Sequence, residues 1–121
     1  MMDAITERKK IKDLFTNATS RVLLGVWLIV KGSSFSLKSM CELIDSSEQV
    51  LEAKLQTFAG MGLVQVSTDS KGERLVMFMP APTPETEKII REYFAARKSD
   101  FDAVETKLRS LIYKNLLEIN L

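Results

Sequence analysis

Apolar positions along this chain change period near residue 63, and that change marks out its elements. Leu37, Met40, Cys41 and Ile44 fall at i, i+3, i+4 and i+7, which is one buried face of a helix. Ser36 stands in front of them as an N-cap. Residues 45–47 form a turn, with Ser46 and Gln49 spaced as a capping box for the next helix. That helix turns Leu51, Leu55 and Phe58 inward and leaves Gln49, Glu52, Ala53 and Gln56 on the opposite face, until Gly60 and Gly62 end it. From residue 63 the period shortens to two. LVQVST and ERLVMFM are strand-like, and DSKG between them predicts a β-hairpin turn whose glycine takes a positive φ.

The flanks are helical. Asp3 can cap a first helix with Ile5, Ile11, Leu14 and Phe15 on one side. A second helix is expected over residues 19–30, apolar nearly all round and stopped by Lys31-Gly32. Trp27 in that helix reads as a core or dimer contact. Residues 33–35 have the character of a short edge strand. Thr83-Pro84-Glu85 is a helix start, with a cap, a proline at the first position and an acid in the first turn. Ile89, Ile90, Tyr93 and Phe94 form one stripe beyond it, and Phe101, Val104, Leu108, Leu111 and Ile112 form another at heptad-like spacing. Ser99-Asp100 between the stripes reads as a kink or a fresh cap. The pattern predicts one α+β, mostly α domain over residues 1–121, with a core at 19–80 and flanking helices at 1–18 and 83–121.

Composition narrows the chemistry. The 121 residues contain one cysteine and no histidine, so an intrachain disulfide is impossible and the commonest general base and metal ligand is missing. Cys41 reads as a small core residue, because a reactive thiolate needs exposure and nearby positive charge. There is no glycine-rich phosphate loop and no nucleophile–histidine pair. The expectation is a binding protein rather than an enzyme, without cofactor or metal. The most apolar run, VLLGVWLIV, is much shorter than the roughly 20 residues of a membrane span, so a cytoplasmic setting is expected. Net charge is +1 but uneven: residues 1–40 carry +4, residues 41–80 carry −3, and the rest is balanced. The basic run Arg8-Lys9-Lys10-x-Lys12 reads as a solvated helix face.

The order helix, short strand, helix, tight turn, helix, hairpin, with helices at both ends, resembles the winged helix-turn-helix of prokaryotic transcription regulators such as the MarR, ArsR and PadR families. The motifs that carry the resemblance lie in residues 36–79, with Leu55-Gln56-Thr57-Phe58 closing the second helix and Gly62-Leu63-Val64 opening the hairpin. The resemblance implies that Glu48, Gln49, Glu52, Ala53 and Gln56 face a DNA major groove and that Lys71 and Arg74 on the wing approach the minor groove or phosphates. Lys38, Ser47 and Lys54 complete the expected contact set with double-stranded DNA. It also implies a homodimer through the terminal helices, with Phe94, Phe101, Val104, Leu108, Leu111 and Ile112 at the interface. Two readings stay open. One is a DNA-binding transcription regulator, with the glutamines available to adenine and glutamate to cytosine N4. The other is a winged-helix module whose acidic face meets a protein partner, because phosphate neutralisation supplies most DNA affinity and the middle third is negative.

Overall fold

A computed structural model describes residues 4–120, with side chains from residue 5 to residue 113. Six helices and three strands follow in the order α1 (Ala4–Thr16), α2 (Ala18–Val30), β1 (Ser34–Ser36), α3 (Leu37–Ile44), α4 (Glu48–Gly60), β2 (Val64–Thr68), β3 (Arg74–Phe78), α5 (Pro84–Ala95) and α6 (Lys98–Asn120). The strands form one antiparallel sheet in the order β1-β3-β2, with Val76 of β3 opposite Phe35 on one side and Val66 on the other. This is a winged helix-turn-helix: α3 and α4 are the paired helices, and β2–β3 is the wing.

α2 is the hub. Leu23, Leu24, Val26 and Trp27 on it are fully buried, as the all-round apolar pattern required. The cap is Asn17, whose side chain accepts from the Ser20 N–H, so the helix begins one residue earlier than its sequence suggested. α1 meets it at a bend of 115°. Ile11, Leu14 and Phe15 of α1 are buried, but Ile5 is 83% exposed and leaves the expected stripe. The expected cap at Asp3 lies outside the described residues. α1 is tied to α5 through Glu7 with the Thr86 hydroxyl and through Arg8 with Glu92, so Arg8 is withdrawn from the basic run. Phe15 stacks on Tyr93 and meets Phe94 edge-on, with centroids 5.2 and 4.8 Å away.

At the other end of α2, Lys31 closes the helix against α5. Its Nζ lies 2.9 Å from Glu87 Oε1 and holds that carboxyl below the usual glutamate value, mainly by hydrogen bonding. The same ammonium donates to the Leu28 carbonyl and sits 5.6 Å from the Trp27 ring.

Several boundaries differ from the sequence expectation. In α3 the buried stripe is Leu37, Met40 and Leu43, whereas Cys41 and Ile44 are only half-buried. The break before α6 falls at Ala96-Arg97, not at Ser99-Asp100; Asp100 is already helical and pairs with Arg97 at 2.8 Å. Most of the second apolar stripe belongs to this chain's own core. Phe94, Val104, Leu108 and Leu111 are at most 7% exposed within a single copy, packed between α2, α5 and α6, and Phe101 is half-buried. They are therefore occupied before any second copy arrives, and Ile112 alone of the expected interface residues is exposed.

Candidate nucleic-acid interface

The helix-turn-helix is fixed by its turn. α3 ends at Asp45, which takes a left-handed conformation (φ 57°), a position that aspartate tolerates better than most residues. The next helix is capped by Ser47, which accepts from the Val50 N–H at 3.3 Å. Ser46 instead donates to the Ser47 carbonyl, so the capping box expected between Ser46 and Gln49 does not form. Leu51, Leu55 and Phe58 are fully buried and hold α4 on the core, each contributing about 1.5–3 kcal/mol by burial. Gly60 is still helical, and the chain turns at Gly62 (φ 76°), where a Cβ would stand 3.1 Å from Pro82 Cγ.

With three inward positions fixed, the remaining side chains of α4 are sorted by helical geometry, at about 100° per residue. Ala53 stands opposite the buried row, flanked by Gln49, Gln56, Val50 and Thr57, and all five are exposed. Val50 is 51% exposed, which is high for a valine on a packed helix. Glu52 and Lys54 sit on opposite flanks rather than on this face. Lys54 is half-buried and borders a cleft of about 430 Å³ between α1, α2 and α4, together with Lys10, Asp13, Leu14, Thr57 and Met61. Glu52 turns toward the wing, where Arg74 Nη2 lies 2.8 Å from its Oε1. The contact is ionic: no donor among the described residues is aligned to hydrogen-bond that oxygen. Both partners are partly exposed, so the pair contributes only about 0.2–1 kcal/mol of stability. Glu48 lies on the same flank, and with Glu52 it adds to the burial that raises the Cys41 thiol pKa.

The wing is built at the turn over residues 69–73. Asp69 Oδ1 accepts from the N–H groups of Lys71 and Glu73, at 2.9 and 2.8 Å, and Gly72 supplies the positive φ of 83°. Lys71 is exposed at this tip, and Lys38 is exposed on α3. The expected contact set is therefore divided by the structure. Gln49, Gln56, Lys38 and Lys71 are free to meet a partner, Ser47 is engaged as a cap, Lys54 borders the cleft, and Glu52 and Arg74 hold each other. The valine at residue 50 was missed in the sequence because an apolar residue beside Leu51 reads as core. The Glu52–Arg74 contact joins residues 22 apart, a pairing that no helical or strand period encodes. Among the described residues, no cluster of histidine, cysteine, aspartate or glutamate could hold a metal ion. No single helix there is long and apolar enough to cross a membrane.

No protein-family model and no curated protein matches the chain. Among solved structures it is similar to MepR, a transcription regulator of the Staphylococcus aureus multidrug efflux pump MepA, at 14% identity and a TM-score of 0.48, covering 94% of this chain and 83% of that one.

Proposed function

We propose that this chain is a DNA-binding transcription regulator of winged-helix type that acts as a homodimer. The observation that carries the reading is the outer face of α4. It is a fully supported helix that leaves two amides and two small apolar side chains exposed beside a hairpin tipped by Lys71. A major groove admits such a helix, and base edges are read by groups of this kind. The cations at the site are few: Lys38 and Lys71 are exposed, and Arg74 is shared with Glu52. Each phosphate neutralised contributes about 0.9 to the slope of log affinity against log salt, so binding should be modest and its salt dependence shallow.

Fluorescence anisotropy with a pool of random duplexes at low and physiological salt tests this. Binding at 50 mM salt that falls with a slope near −2 to −4 for the dimer is expected, and Lys71→Ala should flatten it by roughly one to two units while weakening all sequences alike. Absence of binding at low salt would reject the reading. It would favour the second one, in which the acidic flank at Glu48 and Glu52 meets a basic protein.

A further inference from the structure

The Glu52–Arg74 contact changes which bases α4 can read. This inference rests on the DNA-binding reading above and deepens it. Glutamate on a reading face accepts from cytosine N4, and arginine takes guanine O6 and N7 in a bidentate pair. Both chemistries are present here, but they are spent on each other across the junction of helix and wing. The face opposite the buried row is left with Gln49, Val50, Ala53, Gln56 and Thr57, without a charge among them, while Glu48 stays exposed on the flank at the first turn. A glutamine amide matches adenine, donating to N7 and accepting from the N6 amino group, and an apolar side chain packs against the thymine methyl.

We infer that the ion pair withdraws Glu52 of α4 from cytosine and Arg74 of the wing from guanine, and that the duplex selected carries A·T base pairs at the major-groove positions met by Gln49, Val50, Ala53 and Gln56. Gln49 and Gln56 lie two turns apart on one face of the helix and supply the adenine contacts. Ala53 beside them and Val50 on its far side supply the thymine contacts. Glu52 is a positioning residue in this scheme: it touches no base and restrains Arg74. Lys38 and Lys71 hold the phosphates without choosing a sequence.

Selection from a random duplex pool by the full chain, followed by sequencing, tests the assignment. The expected result is enrichment of A·T pairs at the contacted positions. Gln56→Ala should lose that preference at one position, by about 5- to 150-fold, the range a bidentate pair provides. Replacing thymine by uracil in the selected duplex deletes one methyl per site and should weaken binding about fourfold for each methyl contacted. Arg74→Ala releases Glu52 and should bring cytosine into the selected sequence. Adding Glu52→Gln to that variant should abolish the cytosine preference. Enrichment of G·C pairs by the unaltered chain, or an unchanged preference in Arg74→Ala, would overturn the inference while leaving DNA binding intact. If no duplex is retained even at 50 mM salt, both the inference and the DNA-binding reading fall.

Discussion

Cys41 shows how a side chain can sit on the expected helix yet outside the expected environment. It is half-buried at the edge of the α3 stripe, with Leu43 taking the buried place that the i, i+4 spacing had offered it. Burial is the main cause that raises its thiol pKa, and the charges of Glu48 and Glu52 act in the same direction. At pH 8 the folded chain therefore carries less thiolate than the unfolded one. Modification by an aromatic disulfide reagent should run at least severalfold slower in the native protein than in denaturant, followed by absorbance. Glu48→Gln with Glu52→Gln should speed it only modestly, because burial is the larger cause. Equal rates in native and denatured protein would contradict this account. The linkage has a definite sign: the native state keeps this proton longer, so the contribution of Cys41 to stability declines as pH rises above the ordinary value of 9.0.

Among the elements, the packing of α2 against α6 can be tested by one substitution. Gly25 lies in the buried middle of α2, and a Cβ built there would stand 3.2 Å from Val104 Cγ1 and 3.4 Å from Phe94 Cζ. Its missing side chain is what lets α6 lie close. Gly25→Val should destabilise the fold by about 1–3 kcal/mol through overpacking, measured by urea unfolding. Val104→Ala should recover part of that loss in a double-mutant cycle. Additive costs would mean that the two helices are not in register there. The same region marks the limit of what the sequence discloses. The helix-turn-helix and wing were legible because their period changes at residue 63 and because Ser36, Asp45, Gly62, Gly72 and Thr83 punctuate them chemically. The partner of the α6 stripe was not legible. Val104, Leu108 and Leu111 repeat at a spacing that serves an intrachain core and an interchain seam equally well, and only the packing on α2 assigns them. The cap at Ser47 instead of Ser46 is a smaller case, in which two adjacent serines offer the same chemistry and backbone geometry chooses between them.

For the whole molecule, the proposed dimer must be formed by surface that the single copy leaves open. Ile112 and Tyr113 on α6 are 36% and 66% exposed, and α6 runs on as a helix to Asn120, through a sequence that includes Leu116, Leu117 and Ile119. In the proposed dimer, Ile112 and Tyr113 are the apolar side chains that a second copy would cover. Sedimentation at tens of micromolar should give twice the monomer mass. Ile112→Glu with Tyr113→Glu should give a monomer, and because neither residue is buried in one copy, the internal core should be kept. A monomeric unaltered chain would remove the dimer from the proposal. One connection spans the molecule without any partner. The Trp27 indole N–H donates to the Met79 carbonyl at 2.8 Å, and the Met79 N–H in turn donates to the Leu63 carbonyl at 2.9 Å. The base of the wing is thus moored to the hub of the core. Trp27 is the chain's one tryptophan, so its emission is an intrinsic optical gauge of whether that mooring holds, readable without label or ligand.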